Sequence, residues 1–287
     1  MLTTVPHSLQ SWVNHFAAAP VPVLPATAAT IDALARVERS TQADEGQDRG
    51  GEVTASELAG PILADPLMTV KLLAHVAKQR ARRVQTGSET VTQALLMMGT
   101  TRFFRTFENQ PTVDRALAAW PAAASGLDRV LRRSHRAARL ALAFAVHRKE
   151  PDAEVIHEAA LMHDFAEALL WCHAPGLALD LEARQAADRQ LRSADAQRAV
   201  LGIELAELEH ALLEAWRLPE LLVRITDDRA VDDRQAKIVI ASIRLARHAQ
   251  HGWGDPALPD DYAMAGEMLG LTPAAVEHKV RELVDDV

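Results

Sequence analysis

The stretch Glu158-Ala-Ala-Leu-Met-His-Asp-Phe-Ala-Glu-Ala-Leu-Leu-Trp171 decides how the rest of the chain is read. Ala159, Met162, Ala166, Leu169 and Leu170 keep roughly helical spacing, so the segment reads as one helix packed inside a bundle. In its middle stands the polar pair His163-Asp164. Polar groups in such a setting must find partners or lose hydration without compensation. A neutral imidazole nitrogen and a carboxylate oxygen are also good donors to a divalent metal, although two adjacent donors do not complete a site. On this dipeptide alone, a hydrogen-bonded pair that binds nothing accounts for the residues as well as a ligand pair does.

Working outward, apolar residues make up 48% of the 287 positions and aromatics only 4%, so Ala, Leu and Val must fill the core. That composition favours helices over sheets and argues against disorder. The net charge of -8 excludes a general nucleic-acid binder. A single cysteine, Cys172, excludes an intrachain disulfide and a cysteine-rich zinc site. The N-terminus lacks a basic-then-apolar signal pattern, and no run approaches the roughly 18 apolar residues of a membrane span. The expected location is the cytoplasm.

In chain order, Ser8–Ala18 predicts a short amphipathic helix, and Pro20 to Pro25 stops it. Thr27–Arg39 resumes a helix, and the polar, glycine-bearing stretch Ser40–Glu52 reads as an exposed loop. Thr54 and Glu57 form a capping box, and Asp65-Pro66 caps and opens a further helix that ends in the basic run Lys78–Arg83. Thr90–Met98 and Thr101–Phe107 are short helices on either side of Gly99, and Pro111 to Gly126 is a connecting region with its own short helix. Leu127–His147 predicts a long helix, and Pro175-Gly176 ends the His-Asp helix. Leu177–Leu191, Ala194–Trp216, Pro219–Ile225, Arg234–His251 and Pro273–Val284 complete the pattern, the last capped by Thr272. No strand pattern stands out, so the fold class is an all-α multi-helix bundle. It reads as one domain over residues 1–285, with a helical part up to about 126 and a second part behind it.

The long helix carries Arg129, Arg132, Arg133, Arg136 and Arg139 at three- and four-residue steps, which gives one basic face. Arginine suits phosphate because its fork meets two oxygens at once, so the first four are candidate binders of a phosphorylated small ligand. A solvated helix face would look the same.

Four blocks in this order resemble the HDOD family, the HD-related output domain of bacterial signalling proteins. They are Ile62-Leu-Ala-Asp-Pro-Leu-Met-Thr-Val-Lys-Leu-Leu73, Val91-Thr-Gln-Ala-Leu-Leu-Met-Met-Gly99, Ala160-Leu-Met-His-Asp164, and Leu201-Gly202 through Leu213 followed by Ala215-Trp-Arg-Leu-Pro219. Leu269-Gly-Leu271 before the last helix also fits. The resemblance covers roughly residues 9–285. It implies an all-helical signalling domain with an HD-like bundle and a protein partner or small ligand. It also implies a candidate metal set of His135, His163 and Asp164, with His147 or His157 as other first ligands and Asp227 or Asp228 as replacements for lost ones. Two histidines and a carboxylate would suit iron or manganese with open positions.

The departures point the other way. Ser242 stands where metal-dependent HD phosphohydrolases carry a late aspartate, and a hydroxyl is a poor ligand for a hard cation. Family members often carry a histidine near Gly202 and a histidine pair after the Trp-x-Leu-Pro helix, where this chain has Glu204-Leu205 and Asp227-Asp228. Phe165-Ala166-Glu167 replaces a Gly-Lys that would help hold phosphate, and Glu167 would repel it. The expectation is therefore a non-catalytic module with a degenerate metal site and no cofactor, the alternative being a metal-dependent phosphohydrolase of a nucleotide or cyclic dinucleotide.

Overall fold

The computed structural model describes residues 5–6, 8–43, 53–80, 90–188, 190–230, 232–250 and 252–285. Among these, regular structure is helical apart from one isolated parallel bridge between Val23 and Thr112. No helix among the described residues is long and apolar enough to cross a membrane.

The first half builds a platform. Helix α1 (Leu9–Ala18) starts on the Ser8 hydroxyl and buries Trp12, Val13 and Phe16. Proline breaks the chain before α2 (Pro25–Ala43), which runs past the expected loop start at Ser40. Ser40 to Ala43 are thus helical, and the remainder of that loop, 44–52, lies outside the described residues. The Thr54/Glu57 capping box opens α3 (Ala55–Leu63) as expected. Asp65 then caps α4 (Pro66–Arg80), its Oδ1 accepting the Leu67 and Met68 N–H groups at 3.0 and 3.1 Å. Of the basic run, Lys78 to Arg80 close this helix and 81–83 lie outside the described residues. Gly99, at φ +76, turns the chain between α5 (Val91–Met98) and α6 (Thr100–Phe107). The short α7 (Val113–Ala116) follows.

The second half is organised on α8 (Pro121–His147), which begins six residues before the expected Leu127 with Pro121 in its first turn. Gly126 therefore lies inside the helix, where a Cβ would come within 2.4 Å of the Trp171 ring. That close approach explains a glycine in a helix interior, where it otherwise costs stability. Around α8 pack α9 (Ala153–Met162), α10 (Phe165–His173), α11 (Pro175–Ala187), α15 (Arg234–Ala249) and α17 (Pro273–Asp285). The set is completed by α12 (Ser193–Leu201), α13 (Leu205–Ala215), α14 (Glu220–Ile225) and α16 (Leu258–Leu269).

Four sequence expectations are corrected here. The stretch 158–171 is two helices, α9 and α10, broken at His163-Asp164. It is strongly apolar and holds no proline or glycine, so nothing local marked a break. Pro175 opens α11 rather than only closing what precedes it, and α11 stops at Ala187. Ala194–Trp216 is broken by Gly202 at φ +75, a left-handed helix terminator whose N–H bonds Arg198 O at 3.0 Å. Finally, Leu258–Leu269 forms a helix that the sequence reading did not include.

The two halves share one core. The cluster of buried apolar side chains runs from Trp12 to Val284. Helix α1 packs on α13, and the Trp12 indole donates to Leu201 O at 3.1 Å. Trp216 of the Trp-x-Leu-Pro block packs on Phe165, the residue after the His-Asp pair, with ring centroids 5.4 Å apart.

Candidate functional site

The break between α9 and α10 aims His163 and Asp164 into a cavity of about 1330 Å³ walled by α8, α11, α12 and α13 and by Asp228 and Arg247. His163 keeps helical dihedrals while Asp164, at φ -99 and ψ 19, leaves them, so α10 sets off in a new direction. Both side chains are buried.

Asp164 is held by cations. Arg133 Nε donates to its Oδ2 at 2.6 Å, and Arg133 Nη2 donates to Glu167 Oε2 at the same distance. Arg247 Nη2 lies 3.6 Å from the other Asp164 oxygen. Burial alone would raise the Asp164 pKa, but the Arg133 guanidinium, His163 and Arg247 hold it well below the usual carboxylate range. His163 Nε2 meets Asp228 Oδ1 at 3.0 Å, and its Nδ1 stands 3.5 Å from Asp164 Oδ1, a long contact. Burial opposes the imidazolium, yet Glu209, Asp164 and Asp228 outweigh it and push the His163 pKa well up. Glu209 of α13 moves opposite to Asp164: burial and the nearby carboxylates raise it despite His163. Its Oε1 is buried with no hydrogen-bond partner.

The four arginines proposed from the sequence, Arg129, Arg132, Arg133 and Arg136, all line the cavity together with His163 and Asp164. Arg129 pairs with Glu182, and Arg132 with Asp128. Arg139 is not among the lining residues.

His135 does not join the pair. It sits two residues from Arg133, and residues two apart on a helix do not share a face. Its charge is felt instead by His157 of α9. His147 Nε2 contacts Leu269 O at 3.2 Å and fastens the end of α8 to α16. Ser242 is buried and returns its hydroxyl proton to Ile238 O at 2.8 Å. Asp227 closes a turn by accepting Arg229 N–H at 2.9 Å, and Glu204 pairs with Arg198. Of the suggested replacement ligands only Asp228 reaches the pair.

No group of three or more His, Cys, Asp or Glu among the described residues is placed to hold a metal ion. The donor chemistry agrees: His163 Nε2 is taken up by Asp228, and the Asp164 carboxylate already faces two guanidinium groups. These residues do not fit a metal centre in this arrangement.

The sequence reading missed Glu209 and Arg247. Glu209 had a legible signal, since it lies on the buried stripe Leu205, Leu208, Leu212 and Leu213 of α13, where a glutamate is out of place. Arg247 had none, because nothing local on α15 shows that its tip crosses to Asp164.

Comparisons with known proteins agree with this architecture. The HDOD domain matches residues 48–229, more than half of the chain. In fold, the chain is similar to the MmoQ response regulator of Methylococcus capsulatus, with a TM-score of 0.63 and 18% identity over 92% of this chain and 98% of that one. It is likewise similar to a virulence factor of Campylobacter jejuni, with a TM-score of 0.62 and 14% identity over 97% of this chain and 99% of that one. No curated protein matches by sequence.

Proposed function

The chain belongs to the HDOD family, and from that premise we propose that it is a non-catalytic signal-transduction module that binds a protein partner or a small ligand. The observation that carries this reading is Arg133. An HD-type hydrolase would use the Asp164 carboxylate on a metal; here the Arg133 guanidinium lies 2.6 Å from it and spans to Glu167. One side chain thus ties α8 to the turn between α9 and α10. The same contacts that neutralise Asp164 make the junction a stiff, charge-closed unit, which suits transmission of a binding event between helices better than turnover.

Two further features support it. Glu167 is drawn inward by Arg133 rather than leaving a cation for phosphate. The buried Ser242 hydroxyl is satisfied by its own helix and does not face the cavity wall. Similarity of fold to a protein named as a response regulator is consistent with a regulatory role.

The test is a panel of phosphomonoesters, phosphodiesters and cyclic dinucleotides incubated with the purified protein and added Mn²⁺ or Fe²⁺. No product above a no-protein control is expected. Turnover that disappears in both His163→Ala and Asp164→Ala would overturn the non-catalytic reading.

A further inference from the structure

We infer that the cavity beside the His163–Asp164 turn is a binding site for a mononucleotide-sized phosphate ester. Its phosphate sits on Arg136 and Arg132, and a hydrogen-bond donor elsewhere on the ligand meets Glu209. The inference rests on the reading of the pocket as non-catalytic and names what it takes up.

A sorting of charges along the wall leads to it. The carboxylates there are already engaged: Asp164 and Glu167 by Arg133, Asp228 by His163, Glu182 by Arg129, Glu204 by Arg198, and Asp255 by the Ala257 N–H. Glu209 differs, being 6% exposed with a buried oxygen that accepts nothing. The arginines divide the same way. Arg133 is spent on two carboxylates, whereas Arg136 has no ion-pair partner among the described residues and its buried Nε–H finds no acceptor. Buried polar atoms without partners are uncommon, and each calls for an occupant.

These two charged orphans, beside His163 Nδ1 and Trp171 Nε1, which are also without partners there, belong to different places on one cavity wall. The charges acting most on Glu209 are those of His163, Asp164, Asp228 and Arg247, and Arg136 is not among them. A ligand that satisfies both must therefore carry an acidic group at one end and a donor at the other. On the basic side, Arg132 and Arg136 are one helical turn apart, about 5–6 Å between Cβ atoms, so two forks converge on one anion. Arg132 is held only by Asp128 four residues back, a pair that is more than half exposed and readily exchanged for a phosphate. The volume of about 1330 Å³ exceeds the roughly 300–1,000 Å³ typical of small-molecule pockets, so a nucleotide has room.

The test is isothermal titration of the full chain with AMP, GMP, CMP and UMP, alongside inorganic phosphate and the matching nucleosides. At least one mononucleotide should bind at least tenfold more tightly than phosphate or its nucleoside. Arg136→Gln should weaken that binding tenfold or more, and Arg136→Lys should recover part of it. Glu209→Gln should lower nucleotide affinity while leaving phosphate affinity unchanged, with melting curves confirming that each variant is folded. No binding by any mononucleotide, equal affinity for phosphate, or indifference to Arg136→Gln in a folded variant would overturn the inference. Chromatography of the same samples separates this from the parent reading. Hydrolysis of a bound nucleotide would sink the non-catalytic assignment and leave the binding site standing.

Discussion

Asp65 and Asp164 are two buried aspartates, each immediately before a helix, and they are stabilised by opposite means. Asp65 is wrapped by backbone: Leu67 and Met68 N–H groups meet one oxygen and Leu24 N–H meets the other at 2.7 Å. Burial dominates and raises its pKa. Asp164 caps no backbone N–H of α10 and is held by Arg133 and Arg247, which lower its pKa strongly. The first is a fold anchor written in local sequence, as Asp-Pro at a helix start. The second is a long-range electrostatic knot, written in residues 31 and 83 positions away. Glu158 belongs with Asp65, since both its oxygens accept Val91 N–H at 2.9 and 3.0 Å and burial pushes it up to about 8. Backbone-held carboxylates in this protein tolerate a proton; the arginine-held one does not.

The largest effect should come from breaking the knot. Arg133→Ala leaves Asp164 buried with only the longer contacts of Arg247 and His163, and loss of one partner of a buried ion pair costs about 3–5 kcal/mol. Urea denaturation should show that loss, and a change below about 1 kcal/mol would mean that Arg133 does not hold the junction.

Asp65→Ala should rank next, at about 2–4 kcal/mol, because it strips a helix cap and leaves the Leu24 donor unsatisfied. Its effect should depend on salt less than that of Arg133→Ala, since the lost partners are mainly backbone amides and the Thr27 hydroxyl, with Lys71 a nearby cation. A strong salt dependence would erase the distinction between the two aspartates.

At Asp164 itself, Asp164→Asn keeps shape and one acceptor, so it should cost about 1–2 kcal/mol, less than Asp164→Ala. Equal losses in the two variants would show that the charge, and not the hydrogen bond, is all that matters there.

The effect that is smallest per step is graded with pH. A carboxyl raised from 4.5 to about 8 favours the folded state fully below pH 4.5, and that contribution is lost as pH climbs toward 8. Wild type should therefore lose of order 1 kcal/mol per pH unit from this group between pH 6 and 8. Glu158→Gln, which cannot ionise, should remove that part of the slope in melting curves across the range. An unchanged slope would contradict the assignment.

The contrast also explains what the sequence could show. Helix starts at Thr54 and Asp65, the all-α class and the basic face of α8 rest on spacings of three to seven residues, and these were legible. The break at His163-Asp164 was not, because the stretch is strongly apolar on both sides of it and no proline or glycine marks the junction. The site was half legible: Arg133, His163 and Asp164 could be named, but not that Arg133 would close on Asp164, since that pairing depends on how α8 crosses α10. His135, the expected first ligand, turns out to lie on another face of the same helix.

The most direct test of this charge-closed junction is the melting temperature of the wild type with chelator and with excess Mn²⁺ or Fe²⁺, repeated for Asp164→Asn. A ligand that binds only the folded state must raise its stability. With Asp164 already neutralised by arginine, neither chelator nor metal should move the wild-type melting temperature. A rise with metal and a fall with chelator, both absent in Asp164→Asn, would contradict it.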